Sequence, residues 1–395
     1  MNDAPHFALL PAGLYDLLPP IAEREAELTS RLMAVLTAHG YERVKPPMVE
    51  FEETLLSGAG AGLANDTFRT MDPVSQRMVG LRADQTPQVA RIASTRLAHY
   101  PRPLRLSYAG QVLRVRSSEV RPERQIGQAG AELIGAEGPV ADVEVIAVAA
   151  EALLGAGVST LSVDVTMPTL VPTISEALDI AGPQRIALRA ALDRKDTAAV
   201  AAPAGRAASL FTGLVAAAGP AAQARAALDR LALPEPARAD RERLGAVLDG
   251  LAAAMPSLRL TVDPVENRGF EYHTGISFAF FAQVDSAHGA LGELGRGGRY
   301  IAGSSGSPEP ATGFTLYTDT ILSALPRARA RRRLLLPLGT DPDLAAALRD
   351  PTNAHGGWIT VAALTAAEDW RTEAQRLHCG HVLEDGKPVS VRERH

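Results

Sequence analysis

The sequence predicts an α+β fold: an antiparallel sheet flanked by helices, with a helical insertion and a small α/β appendage at the C-terminal end. Three observations carry that expectation. Strand-like runs such as "RPLRLSYAGQVLRVR" and "RQIGQAGAELIG" come as a pair joined by the polar stretch "SSEVRPE", the pattern of antiparallel neighbours with a long connection. Residues 176–255 turn alanine-rich with interspersed Arg and Asp, and show no strand pattern. After an Arg-rich stretch at 326–334, strand and helix signals alternate over 335–395.

Taken in order, "IAEREAELTSRLMAVLTAHG" (21–40) places Leu28, Leu32, Val35 and Leu36 at helical spacing, with Gly40 as a stop. "YERVKPPMVEF" follows as an extended segment, and Pro46 and Pro47 keep it out of a central strand. "LRADQTPQVAR" (81–91) reads as a strand carrying Asp84 and Thr86 on one face. Beyond the 104–135 pair, "VADVEVIAVAAEALLGAGV" returns to helix, closed by Gly155 and Gly157. Pro183, Pro203, Pro220, Pro234 and Pro236 cut the alanine-rich insertion into short helices. Strands resume at "LRLTVDPVENRGFEYHTGISFAFFA" and "ATGFTLYTD". The glycine cluster "GELGRGGRYIAGSSG" (292–306) reads as a mobile loop or tight turn. It lacks both the Lys-Ser/Thr ending of a phosphate loop and the spacing of a dinucleotide fingerprint. These boundaries define a core over 1–325, an Arg-rich linker over 326–334 and a small α/β domain over 335–395.

Composition narrows the function classes. A net charge of −5 argues against a general nucleic-acid-binding surface, although eight arginines face two acids between Arg91 and Arg124. The single cysteine, Cys379, excludes an internal disulfide and a four-cysteine zinc site. The start lacks a basic region and is broken by prolines, and no uncharged apolar run nears the ~20 residues of a membrane helix. The expectation is a soluble, cytoplasmic chain. "HCGH" (378–381) has a spacing that can bind metal, but a polar helix end is the stronger reading, and no metal or cofactor is expected. "RARARRR" (327–333) reads as a solvated linker before it reads as an anion site.

The residue types that suggest chemistry are scattered over four segments. Gln128 and Glu132 share one strand face, and a buried carboxylate there requires partners. An ammonium or imidazole group of a ligand would supply them. Arg114 and Arg268 offer planar forks for a carboxylate, and Tyr272, His273 and Tyr300 could enclose a side chain. Together they fit a free amino acid, whether the chain acts on it or only binds it.

The order of these segments resembles histidyl-tRNA synthetase, a class II aminoacyl-tRNA synthetase, from about Gly13 to Leu325. "GYERVKPPMVEF" resembles motif 1, with Pro47 and Glu50 in place. "LRADQTPQVAR" resembles the family's Leu-Arg-Pro-Glu-Gly-Thr segment. "VLRVRSSEVRPERQIGQAGAELIG" resembles motif 2 and keeps Arg114, Arg124, Gln128 and Glu132. "NRGFEYHTG" resembles the histidine-specific Arg-Gly-Leu-Asp-Tyr-Tyr motif, and "GGRY" the loop after it. The resemblance implies a histidine pocket at Asp84, Thr86, Arg114, Gln128, Glu132, Arg268, Tyr272, His273 and Tyr300. Asp84 and Thr86 would take the ammonium group, Glu132 would face the imidazole, and Arg114 would meet the carboxylate. His273 stands where the family has a tyrosine.

The departures concern ATP. The motif 3 arginine is Thr320 in "GFTLYTDTIL", the acid two residues after Arg114 is Arg116, the adenine-stacking phenylalanine is Ile126, and the acid after "GGRY" is Ile301. The appendage is short for an anticodon-binding domain. This profile is similar to the regulatory-subunit family of ATP phosphoribosyltransferase. That resemblance implies a non-catalytic chain, a homodimer within a hetero-oligomer. It would activate a short-form catalytic subunit in the first step of histidine biosynthesis and mediate inhibition by L-histidine, with no tRNA or membrane partner. A divergent histidyl-tRNA synthetase is the alternative.

Overall fold

The computed structural model describes residues 9–116, 122–266, 272–284, 291–303, 308–326, 332–353 and 356–391. Arg268 and Glu271, and residues 327–331 of the Arg-rich stretch, lie outside the described residues. The chain divides into two compact units, Met1–Leu325 and Pro326–His395.

The first unit begins with α1 (Ile21–Ala38), which buries Leu28, Leu32, Met33 and Leu36. The motif 1 segment holds β1 (Glu42–Arg43), β2 (Val49–Phe51) and the short α2 (Glu52–Leu55). With β3 (Arg69–Met71) and β4 (Met78–Leu81), β2 makes a three-stranded sheet in the order β2-β4-β3. The next segment departs from expectation. Asp84 precedes α3 (Thr86–Thr95), so it and Thr86 do not share a strand. Pro87 suits the first helical turn, where its missing N–H costs nothing. Val89, Ala90 and Ala93 then give α3 its buried face.

β5 (Leu104–Leu113) and β6 (Gln125–Ile134) form the expected antiparallel pair. α4 (Pro139–Ala156) is apolar nearly all round, because it lies between the sheet and the helices α1 and α10 (Glu235–Ala254). It continues through Gly155 and ends at Gly157, whose φ of +107° forms the left-handed cap.

Between β7 (Ser162–Thr166) and β9 (Arg259–Val262) the chain is helical, and the helices begin at Leu170 rather than at 176. They are α5 (Leu170–Ala177), α6 (Gly182–Asp193), α7 (Thr197–Ala204), α8 (Ala208–Ala216) and α9 (Ala221–Asp229), then α10, with the two-residue strand β8 (Gly219–Pro220) between α8 and α9. Residues Thr197–Ala216 are long and apolar enough to cross a membrane by composition alone. A 3-10 turn at Gly205–Ala207 divides them into α7 and α8.

β10 (Ser277–Gln283), β11 (Leu291–Ala302), β12 (Glu309–Tyr317) and α11 (Thr318–Ala324) complete the unit. The large sheet runs β1-β5-β6-β12-β11-β10-β7-β9-β8. It is antiparallel from β5 to β7 but parallel at β1–β5 and β7–β9, so it is mixed rather than wholly antiparallel. Residues 304–306 of the glycine cluster lie outside the described residues, and 292–302, expected as a loop, are instead part of the central strand β11, laddered on both sides. Its glycines answer crowding more than bending: a Cβ on Gly298 would stand 2.4 Å from the His273 ring.

The second unit has β13 (Arg333–Leu336), α12 (Pro342–Arg349), β14 (Ile359–Ala362), α13 (Trp370–Arg376), β15 (His381–Glu384) and β16 (Lys387–Ser390), with sheet order β14-β13-β15-β16. Period-two alternation gives it a core on each face, Leu334 and Leu336 on one and Leu335 on the other. Cys379 belongs to the second core, His378 is exposed, and the His381 ring lies 4.7 Å from that of Trp358.

Candidate amino-acid site

The site is built on one face of the sheet. Along β6, Gln128, Gly130 and Glu132 share that face; along β11, Arg296, Gly298 and Tyr300 do. The N-terminal end of α3 approaches from outside the sheet, held there by motif 1. Gln88 on α3 donates to Pro47 O at 2.8 Å and to Glu50 Oε1 at 2.9 Å, and Arg91 Nε donates to Glu50 Oε2 at 2.9 Å. Arg82 Nη1 donates to Pro46 O at 3.1 Å and its Nε to Gln111 O at 2.8 Å, which ties the approach to β5. The consequence of this arrangement is where it puts Thr86.

Glu132 lies at the floor, 1% exposed. Its Oε1 accepts from Thr86 Oγ1 at 2.9 Å and Tyr108 Oη at 3.4 Å, and its Oε2 accepts from Tyr300 Oη at 3.0 Å. Tyr108 is itself held by Thr315 Oγ1 at 2.6 Å. Gly313 on β12 makes the room: a Cβ there would stand 1.8 Å from Glu132 Oε2. Burial pushes the Glu132 carboxyl up to about 8, against the opposing pull of the Thr86 and Tyr300 hydroxyls, while nearby Asp84 adds to the rise. A cationic ligand group beside this carboxyl would favour its ionised form.

Asp84 forms a second acidic point. Its Oδ1 accepts from Thr86 N at 2.9 Å and its Oδ2 from Gln128 Nε2 at 2.9 Å. Gln128 Oε1 accepts from Gln85 N at 3.2 Å, so one amide fixes both Asp84 and the turn into α3. Arg114 donates from Nε to Ala83 O at 3.3 Å and brings Nη2 to 4.0 Å from Asp84 Oδ2.

These groups open into a cavity of about 880 Å³. Asp84, Thr86, Arg114, Glu132, Tyr272 and Tyr300 all line it. Gln128 sits one layer behind, holding Asp84. His273 is not among the described residues that line the cavity. It is 7% exposed, its ring packs 4.1 Å from that of Tyr272 and over Gly298, and Tyr272 stands in front of it with its ring 6.2 Å from Tyr300. The missing Cβ of Gly298 lets the sheet face accept the ring, so His273 becomes backing rather than wall.

The far end of the cavity is more open. Tyr15, Glu123, Glu293, Arg296, Asp319 and Thr320 line it, and none of them was singled out as a ligand contact from sequence. Arg296 donates to both Glu293 oxygens, at 2.8 and 2.7 Å. Treating 292–302 as a strand would have found Arg296, two residues from Gly298 and four from Tyr300 on the same face. Asp319 Oδ2 accepts from Gly127 N at 3.1 Å. Ile126 packs with Val112 and Tyr317, while Arg116 and Ile301 are exposed. Among the described lining residues, the carboxyls are Asp66, Asp84, Glu123, Glu132, Glu293 and Asp319, and the guanidiniums are Arg114 and Arg296. Such a wall favours cationic and zwitterionic ligands over polyanions.

On the opposite face of β11, Arg299 clamps the strand to the start of α4. It reaches Asp142 Oδ1 at 2.9 Å and donates to Ala136 O and Gly138 O, each at 2.9 Å. That buried pair locks the register that brings Tyr300 to Glu132.

Comparison with known proteins gives the same architecture. A profile of the histidyl-tRNA synthetase family matches residues 13–321. The ATP phosphoribosyltransferase regulatory subunit of Rhodospirillum centenum is 55% identical over 391 residues, covering 99% of this chain and 98% of that protein. The protein of the same name from Paramagnetospirillum magneticum is 55% identical over 97% of this chain and 98% of its own length. A crystal structure from Bacillus halodurans, described as an ATP phosphoribosyltransferase regulatory subunit/histidyl-tRNA synthetase, superposes with a TM-score of 0.77. It covers 94% of this chain and 97% of that one at 23% identity, a likeness of fold alone.

Proposed function

The chain belongs to the family of ATP phosphoribosyltransferase regulatory subunits, built on the histidyl-tRNA synthetase-like fold, and from that premise we propose that it is a non-catalytic histidine sensor. In this reading it activates a short-form catalytic subunit that condenses ATP with phosphoribosyl pyrophosphate, and L-histidine in the cavity reverses that activation. Asp84 and Thr86 face the ammonium group, and Arg114, with Arg268 from outside the described residues, meets the carboxylate. Glu132 takes the imidazole, framed by Tyr272 and Tyr300, with Gln128 and His273 as support.

The observation that carries the reading is the contrast in charge and packing along the cavity. A buried carboxyl held by three hydroxyls suits a ring N–H. The six carboxyls and two guanidiniums of the described wall oppose a triphosphate. At the motif 3 position Thr320 supplies a hydroxyl where phosphoryl chemistry needs a fixed cation. Regulation then requires histidine to discriminate between two states of the assembly, a coupling of about 1–3 kcal/mol.

The test is the rate of phosphoribosyl-ATP formation by the short catalytic subunit from the same genome, without this chain, with it, and with added histidine. Activation that histidine reverses is expected. No effect at any ratio of the chains, together with histidine-dependent ATP–pyrophosphate exchange by this chain alone, would overturn the reading in favour of a divergent synthetase.

A further inference from the structure

We propose that residues 9–18 form a strap over the outer end of the cavity, and that Arg124 couples the seating of this strap to occupancy of the ligand end. The proposal rests on the histidine reading above. The strap has no regular structure beyond a turn in which Leu14 N donates to Pro11 O at 3.0 Å. It contributes little burial of its own: Leu9, Leu10 and Leu18 are 65%, 51% and 66% exposed. What holds it is local and polar. Gly13, at φ +77°, lies flat on the start of β6, where a Cβ would stand 2.7 Å from Pro122 O and 2.9 Å from Arg124 Cγ. Arg124 N donates to Gly13 O at 2.9 Å, and Arg124 Nη1 donates to Ala12 O at 3.2 Å.

The same guanidinium also bonds the backbone of Arg114. Arg124 Nε donates to Arg114 O at 3.1 Å, and Arg114 N donates back to Arg124 O at 2.8 Å. Arg114 is the described arginine nearest Asp84. A carboxylate drawn to Arg114 fixes this ladder end, and Arg124 passes the constraint to the strap. Two residues beyond Gly13, Tyr15 lines the cavity beside Glu123 and Asp319 while remaining 47% exposed. A further anchor follows in α1, where Glu25 Oε1 accepts from Thr318 Oγ1 at 3.2 Å at the start of the motif 3 helix. The chain is therefore tied at Ala12–Gly13 and again at Glu25, and Leu9, Leu10 and Leu18 around the first tie are loosely packed. Segments with few buried apolar contacts open at low free energy, which is what a ligand-responsive element requires. Arg124 is a positioning residue here: it acts through Arg114 and Ala12. Coupling is reciprocal, so loosening the strap weakens histidine binding as well.

The experiment is hydrogen exchange of the full chain with and without saturating L-histidine, paired with calorimetric titration. The proteins are wild type, Arg124→Ala, Arg124→Lys and Gly13→Val, with peptides from α10 as the fold control. In wild type, histidine slows exchange across 9–18 by about tenfold. In Arg124→Ala the strap exchanges fast in both states and histidine affinity falls about 5–10-fold, within the usual range for coupled sites. Arg124→Lys restores part of the protection. Gly13→Val, which unseats the strap by crowding Pro122 O and the Arg124 side-chain stem while keeping the guanidinium itself, lowers affinity similarly and keeps the proposal testable should Arg124→Ala fail to fold. Histidine binding with no change in strap exchange overturns the strap alone, as does equal protection in Arg124→Ala. Absence of any binding heat overturns the histidine reading, and the coupling with it.

Discussion

The two ends of the cavity are made of similar side chains and behave as opposites. At the inner end one carboxyl is buried and three hydroxyls from α3, β5 and β11 converge on it. At the outer end the acids and Arg296 are partly exposed, and the strongest contact is an ion pair between residues three apart on one strand. The inner end is preorganised by hydroxyls from distant segments around one buried carboxyl, whereas the outer end mixes a local ion pair with the long-range bond from Gly127 N to Asp319.

The most damaging way to test that contrast is Gly313→Ala. The new Cβ would meet Glu132 Oε2 at 1.8 Å, with backbone on its other side. We expect histidine binding to fall by at least about 100-fold and the melting temperature to drop by several degrees, since overpacking costs about 1–3 kcal/mol. Unchanged affinity would place the ligand at the outer end.

Glu132→Gln comes next, with about a 50-fold loss of affinity by calorimetry, the size expected for a charge-assisted bond. It also carries a pH signature. A carboxyl raised to about 8 in the folded state binds its proton more tightly there than when unfolded. The empty protein should therefore lose stability as pH rises from the ordinary carboxyl value of 4.5 to about 8, by about 1.4 kcal/mol per unit of displacement. Denaturant melts across that window should slope in wild type and flatten in Glu132→Gln. Histidine affinity should rise over the upper part of the same window, with proton release, in wild type only.

Tyr300→Phe removes a single donor and should weaken histidine about tenfold with little change in fold. The smallest effect belongs to the outer end. Thr320→Arg returns a cation at the motif 3 position, yet histidine affinity should stay within about twofold and ATP–pyrophosphate exchange should remain absent. Exchange gained by that one substitution would mean the acid-rich wall is no barrier to ATP.

Much of the inner site was legible because its residues stand in ordered motifs. Asp84, Thr86, Glu132 and Tyr300 were all named from sequence, and all line the cavity. Their secondary structure was read less well. Asp84 and Thr86 were expected on a strand face, but Thr86 opens a helix: a two-residue polar spacing suits both a strand and a turn whose N–H bonds the Asp side chain. The glycines of 292–302 read as a loop because glycine weakens strands in general; here neighbouring rings and carbonyls occupy the space side chains would need. His273 was placed in the wall because it follows Tyr272 in the motif. Only the packing against Gly298 shows which of two adjacent rings faces the cavity.

What the sequence determined by itself was the inventory and the local periods: an amphipathic α1, the β5–β6 pair, the helical insertion, and a cavity-facing strand that carries Gln128 and Glu132 together. The tertiary structure decided which hydroxyls reach Glu132, because Thr86, Tyr108 and Tyr300 lie far apart along the chain and meet it only through the strand order β5-β6-β12-β11 and the seating of α3 on motif 1. It also decided the charge of the outer wall, where Glu123 ahead of β6, Glu293 and Arg296 on β11 and Asp319 on α11 come together. The physical reason is common to both. Strand and helix periods are set by neighbouring residues, but the burial that raises a carboxyl, or the gap that only glycine leaves, exists only once distant segments close around the same space.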